Sequence, residues 1–282
     1  MLLRYTITFV VVAVAIFLAL TLWQNYMNSS WTRDGRVRAD VVMVAPDVSG
    51  LVSELSVTDN QFVKQGETLF EIDKVRFEHA LEVADAVAKT KKANYEMKNN
   101  QYIRRAALGD DAVSKESRND AELEVEMAKA EYEEALALAQ TAKLNLERST
   151  VRAPSDGWIS NLLLRKGDYV KVGDNRLAIV SSGSFWVYGY FEEQKLSLLH
   201  VGDKAQMKML GSDYTLSGHI ESIARGISDR DNATGDRLLA NVNPTFTWVR
   251  LAQRIPVRIH IDSVPKGFTV VAGMTCSVSI VK

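Results

Sequence analysis

Two distant stretches of this chain are copies of one another, and that repeat limits the possible folds more than any other feature. Gly50-Leu51-Val52-Ser53-Glu54-Leu55 aligns with Gly157-Trp158-Ile159-Ser160-Asn161-Leu162. Phe62-Val63-Lys64-Gln65-Gly66-Glu67 aligns with Tyr169-Val170-Lys171-Val172-Gly173-Asp174, and Ile72 aligns with Ile179. Every pair is separated by 107 positions without a gap, and Ala-Pro precedes each copy, at Ala45-Pro46 and Ala153-Pro154. Each copy is rich in β-branched and aromatic residues and punctuated by Gly, Asp and Asn, which predicts short strands joined by tight turns. A half of about 25 to 30 residues cannot bury a core alone, whereas two facing halves can. The repeat therefore predicts one β-sandwich built from both copies, with the intervening chain leaving it and returning.

The intervening chain has helical composition. From about Val75 to Leu108 and from about Ser117 to Arg148 there is no Pro or Gly, and Ala, Glu, Lys and Leu dominate. In the second stretch Val125, Ala128, Tyr132, Ala135, Ala139, Ala142 and Leu146 alternate spacings of three and four, a coiled-coil seam. Phe77, Leu81, Ala84, Ala88, Tyr95 and Tyr102 form a weaker seam in the first, interrupted by Lys91. Gly109-Asp110-Asp111 is the break between them, and Ser114 or Ser117 can cap the second helix. The expectation is an antiparallel hairpin about 50 Å long.

Beyond Ser181 the pattern returns to strands. Phe185–Phe191, Lys204–Leu210, Thr215–Ala224, Pro256–Ile261 and Val278–Val281 alternate or run apolar, with a short helix expected over Glu192–Leu199. These predict an antiparallel β-barrel followed by a final sheet shared with residues 34–45. At the other end, Tyr5–Trp23 contains no charged residue and nearly matches a ~30 Å hydrocarbon core. Arg4 precedes it, and Trp23 and Tyr26 stand where interfacial aromatics belong. A cleaved signal peptide competes, but the small-residue cleavage site it needs is missing from Gln24-Asn25-Tyr26-Met27-Asn28. The reading is an uncleaved transmembrane anchor, with the bulk of the chain on the side opposite its four-residue stub.

Composition bounds the chemistry. The chain is 46% hydrophobic and 24% charged with a formal net charge of −1, so no charge imbalance points to nucleic acid. Cys276 is the only cysteine, which excludes an internal disulfide and a cysteine metal cluster.

The order of anchor, half-domain, hairpin, half-domain and barrel resembles the periplasmic adaptors (membrane fusion proteins) of tripartite efflux pumps and related secretion adaptors. Ala45–Asp73 and Arg152–Asp174 both look like that family's split lipoyl-like (barrel-sandwich hybrid) domain. Asn243–Asp262 and the segment around Trp31-Thr32-Arg33-Asp34 are similar to the subgroup paired with aromatic carboxylic acid exporters, the p-hydroxybenzoic acid efflux type. Drug-exporter adaptors share part of this pattern. The implied organisation is a cytoplasmic stub over 1–4, an anchor over 5–25 and half-domains over 40–73 and 149–182 around a hairpin over 74–148. A barrel over 183–262 and membrane-proximal strands over 263–282 would follow.

The resemblance implies a non-enzymatic subunit in the inner membrane with most of its chain in the periplasm. Its partners would be an inner-membrane exporter, an outer-membrane channel and further copies of itself, as trimers or hexamers. The family's tip pattern, Arg-x3-Leu-x6-Ser, is kept at Arg104 and Leu108, but Ser114 falls one residue short. Arg105 is an alternative arginine, and Ser114 can serve as helix cap, docking contact or both. Trp248, Arg250 and Arg254 are the residues expected near the exporter. Adaptors of multidrug exporters or secretion systems, and a self-standing envelope protein, are alternative readings.

Other chemistry fits less well. Glu71-Ile72-Asp73-Lys74-Val75 resembles the turn that bears lipoate in acyl-carrier domains, but Lys74 stands at the start of a long helix rather than at a hairpin tip. His79, His200, His219 and His260 lack metal-ligand spacing. Asp229, Asp231 and Asp236 lack the glycine and final acid of a calcium loop, and Met207 and Met209 read as one packed face of a strand. No cofactor or metal is expected.

Overall fold

A computed structural model describes residues 2–27, 30–108, 113–227 and 252–281. In chain order, helix α1 (Leu2–Met27) and strand β1 (Trp31–Arg38) precede β2 (Val41–Val44), β3 (Gly50–Leu55), β4 (Phe62–Val63) and β5 (Thr68–Ile72). Two long helices follow, α2 (Val75–Ala106) and α3 (Lys115–Arg148). Then come β6 (Thr150–Arg152), β7 (Gly157–Ser160), β8 (Tyr169–Val170), β9 (Leu177–Ser181) and β10 (Trp186–Glu192). A 3-10 turn (Glu193–Leu198) leads to β11 (Lys204–Met209), β12 (Thr215–Ile223), β13 (Arg254–Ser263) and β14 (Thr275–Val281). Two units form: residues 41–183, and residues 1–40 with 184–282.

In the first unit both copies of the repeat contribute to both sheets. One sheet has the order β2-β9-β7-β4 and the other β6-β5-β3-β8, so each pairs two strands from one copy with two from the other. The exchange is symmetric in its hydrogen bonds. Val52 N donates to Asp168 O at 2.9 Å and its carbonyl accepts from Gly167 N at 2.9 Å; the matching Ile159 makes the same bonds with Gln61 O (2.9 Å) and Asn60 N (3.1 Å). Asn60 and Gly167 both adopt positive φ, 61° and 92°, so the turn geometry is repeated as well. The matched apolar pairs Val52/Ile159, Val63/Val170 and Ile72/Ile179 are all at most 2% exposed and fill one core. Gly50 and Gly157 let the sheets close: a Cβ would lie 2.6 Å from Ile72 Cγ2 at the first and 2.8 Å from Ile179 Cγ2 at the second.

The hairpin grows out of this sandwich. Ile72 N donates to Ser149 O at 2.8 Å, which holds the two ends of the excursion together. Along α3 the buried residues are Ala121, Ala128, Ala135 and Ala139, on the expected seam and extending it by one position. On α2 the buried Ala88 packs against Ala135 and Ala139, while the buried Phe77 belongs to the sandwich core. Alanine contributes little apolar area per contact but lets the helices approach closely. Lys91 remains on the seam because Glu131 Oε2 lies 2.7 Å from its Nζ, and Lys98 pairs with Glu124 at 2.9 Å in the same manner. The Tyr95 and Tyr132 rings also stack in parallel across the hairpin, with centroids 6.4 Å apart and planes at 6°. The Gly109-Asp110-Asp111 break lies outside the described residues.

In the second unit six strands close into an antiparallel barrel, β1-β10-β13-β12-β11-β14. Here the sequence expectation needs correcting. β1 and β14 do not form a sheet of their own; they pair with each other and close the barrel between β10 and β11. Neither β12 nor β11 pairs with β10, so β1 and β14 are needed to span that gap. Inward residues alternate along every strand, and Met207 and Met209 point into the core as one packed face. Cys276 is 1% exposed there, and burial pushes its thiol up to about 11.

Of the described side chains of α1, Tyr5 and Ile7 to Leu20 are exposed and Thr21 is half-buried. The expected anchor over 5–25 is not shown: among the described residues no helix is long and apolar enough to cross a membrane. The unbroken run of described side chains, Ile7 to Thr21, spans about 22 Å at ~1.5 Å per residue.

Two predictions follow from the packing. Gly157→Ala should destabilise the sandwich by roughly 1–3 kcal/mol through a clash with the Val180 backbone carbonyl and overpacking against Ile179, while Gly183→Ala, with nothing within 4 Å of the added carbon, should leave the denaturation midpoint near the parent value. Alkylation depends on the thiolate, so Cys276 should resist iodoacetamide at pH 8 in the folded chain and react fully in denaturant; comparable reaction in both would contradict its burial.

Candidate partner-docking surfaces

The described part of the hairpin tip begins at the end of α2. Arg104 and Arg105 lie in its last turn. They differ in environment: Arg104 is exposed, whereas Arg105 is half-buried on the seam side and its charge helps lower the Glu124 carboxyl. The larger causes of that lowering are the hydrogen bond and charge of Lys98. Leu108 is 50% exposed. Ser114 is the N-cap of α3, with φ −65° and ψ 150°, and its Oγ accepts from Ser117 N at 3.1 Å. Ser114 thus has a definite folding role, and among the described residues of the tip Arg104 and Leu108 are exposed.

Of the residues expected near the exporter, Trp248 and Arg250 lie outside the described residues, as do Asp229, Asp231 and Asp236. Arg254 begins β13, and its NH1 lies 2.7 Å from Asp34 Oδ2 on β1. Arg36 approaches the other oxygen of Asp34 at 3.8 Å. Thr32 Oγ1 donates to Tyr190 O at 2.7 Å and accepts from Asp34 N at 3.2 Å, which holds the carboxylate toward β13. Two segments singled out separately in the sequence, Trp31–Asp34 and the one containing Arg254, thus meet. They line a cavity of about 330 Å³ together with Tyr190, Glu192 and Lys195.

Lys74 sits at the N-cap position of α2 and pairs with Glu71 at 2.7 Å, so it lacks the exposed hairpin-tip position that a carrier lysine needs. The histidines are less scattered than the sequence suggested. His219 on β12 stands opposite His260 on β13 with ring centroids 5.3 Å apart, and His219 Nδ1 lies 2.8 Å from Asp262 Oδ1. Among the described residues no group of three or more His, Cys, Asp or Glu side chains could hold a metal ion. Sequence reasoning missed the Asp34–Arg254 and His219–His260 pairings, because strand register across the barrel leaves no local trace in either segment.

Comparison with known proteins agrees with this architecture. Residues 40–182 match the family described as RND MFP, barrel-sandwich hybrid domain, and residues 184–281 match the AAEA-like beta-barrel domain. The chain is 40% identical over 277 residues to YdhJ of Escherichia coli (strain K12), an uncharacterized protein, covering 98% of this chain and 97% of that one. Among solved structures it is similar to MacA from Actinobacillus actinomycetemcomitans, with a TM-score of 0.70 and 17% identity over 90% of this chain and 79% of that one. The membrane fusion protein Spr0693 from Streptococcus pneumoniae R6 gives a TM-score of 0.66 and 16% identity over 89% and 98%. At such identities these two structures show the fold alone. The family match over more than half its length and the end-to-end likeness to YdhJ make the conclusion plain: the chain belongs to the RND-type membrane fusion proteins, a family of efflux adaptors.

Proposed function

We propose that this protein links an inner-membrane exporter to an outer-membrane channel, with small aromatic carboxylic acids as its cargo. The observation that carries the reading is the hairpin. Two helices of 32 and 34 residues leave a sandwich whose core is complete without most of them, and they end in an exposed arginine and leucine. So long a projection makes sense as a reach toward a partner. The charge-free run Tyr5–Trp23 supports a single-pass anchor in the inner membrane, with the remainder in the periplasm. One hairpin cannot enclose a path, so several copies are required, as trimers or hexamers. Energy comes from the exporter. The cargo class rests on the likeness of Asn243–Asp262 and Trp31–Asp34 to adaptors of aromatic acid exporters.

At the tip, Arg104 and Leu108 are assigned to the channel, with Arg105 holding the seam and Ser114 capping α3. Trp248, Arg250 and Arg254 are assigned to the exporter side.

Replacing residues 79–144 by a short Gly-containing turn should preserve a cooperatively unfolding sandwich, because the ends already meet through Ile72 and Ser149 and the core residues Phe77 and Leu146 are kept. Cells carrying that variant should tolerate aromatic acids no better than cells lacking the gene; undiminished export would sink the coupling mechanism. Arg104→Glu with Leu108→Asp should depress export comparably while leaving helicity unchanged. Ser114→Ala should cost the hairpin about 1 kcal/mol. Ser114→Asp should restore that stability, and export should return with it unless the hydroxyl itself docks.

A further inference from the structure

We infer that the cavity between β1, β10 and β13 binds a small aromatic carboxylate directly. Its lining holds three cations, Arg33, Lys195 and Arg254, against two carboxylates, Asp34 and Glu192. Arg254 is already committed to Asp34 at 2.7 Å. Lys195 is the exception that points to a ligand. Its side chain is only 16% exposed, yet its nearest oxygens are Trp31 O at 3.4 Å and Glu192 Oε2 at 3.7 Å. Charge-assisted hydrogen bonds close at roughly 2.7–2.9 Å, so this ammonium has lost most of its water without gaining a tight acceptor. Removing a charge from water is costly unless an anion compensates it. Arg33 makes no ion pair among the described residues.

The aromatic lining sets the rest of the ligand. The Arg33 guanidinium and the Lys195 ammonium lie 5.6 and 5.7 Å from the centroid of the same Trp31 ring, and Tyr190 provides a second aromatic wall. An inorganic anion would answer the cations but leave those rings against water. A flat ring carrying one carboxylate answers both, stacking or packing edge-on against Trp31 while its oxygens reach Lys195 and Arg33. At about 330 Å³ the cavity lies near the lower limit of small-molecule sites, which favours a single ring. The assignment rests on the adaptor reading for its purpose, contact with cargo on the barrel, whereas the binding chemistry stands on the cavity alone.

The test is titration of the full-length protein in detergent with benzoate, cyclohexanecarboxylate and acetate, followed by ligand-observed NMR. Benzoate should saturate one site with a Kd of roughly 0.1–10 mM, as expected for so small a ligand. Lys195→Met should weaken it about tenfold or more through loss of the charged contact, and Trp31→Leu should also weaken it. Cyclohexanecarboxylate should bind several-fold more weakly than benzoate, and acetate should not saturate. Unchanged unfolding midpoints identify variants fit for comparison, and Lys195→Met suffices if Trp31→Leu does not fold. No saturation by benzoate, equal affinity in Lys195→Met, or cyclohexanecarboxylate binding as tightly would each overturn the site. If hairpin-dependent export persists alongside such a result, the cavity assignment falls while the adaptor reading stands.

Discussion

Neither half of the repeat can complete its own sheets. The central pair of each sheet comes from one copy and its two edge strands from the other, and the reciprocal bonds of Val52 to Gly167 and Asp168, and of Ile159 to Asn60 and Gln61, tie the copies together. Folding the sandwich therefore requires closure of a loop more than seventy residues long. Loop-closure entropy grows only slowly with length, so a long insertion adds modestly to that cost. An insertion that folds locally as two helices adds less disorder than a floppy one. In this way strand exchange makes the sandwich tolerant of the long hairpin, and the Ile72–Ser149 bond fixes where the hairpin emerges.

The hairpin is held together by means suited to a slender object. Its buried seam on α3 is alanine, which stabilises little per residue, so specificity of register has to come from elsewhere. Two cross-helix ion pairs, Lys91–Glu131 and Lys98–Glu124, and the Tyr95–Tyr132 stack supply it. Solvent reaches both ion pairs, so each contributes little to stability, but a slip of one turn would separate both pairs and the stack at once. Among the described tip residues, Arg105 and the Ser114 cap serve the fold, whereas Arg104 and Leu108 are exposed.

Much of this was legible in the sequence, for identifiable reasons. The repeat showed that two halves share one core because Val52, Val63 and Ile72 and their counterparts keep register. The seam was visible because helical spacing is local: alanines three and four apart mark a face whatever lies opposite. Lys91 was seen to interrupt the seam, but its partner Glu131 depends on how the helices meet. Strand alternation showed which residues face inward, as with Met207 and Met209, without revealing which strands are neighbours. For that reason the closure of the barrel by β1 and β14 was not anticipated. The cavity around Trp31 and Lys195 depends on the same closure. Its two flanking segments were noticed one at a time, and only the barrel brings Asp34 onto Arg254.

The central claim, that this chain bridges two membranes' transport proteins, is tested most directly by crosslinking in intact cells. A photoreactive residue would replace Leu108 at the hairpin tip, and in a second strain Trp248, with captured partners identified by mass spectrometry. The account predicts an outer-membrane channel at Leu108 and an inner-membrane exporter at Trp248. Capture of neither, in cells expressing their full set of envelope proteins, would contradict it.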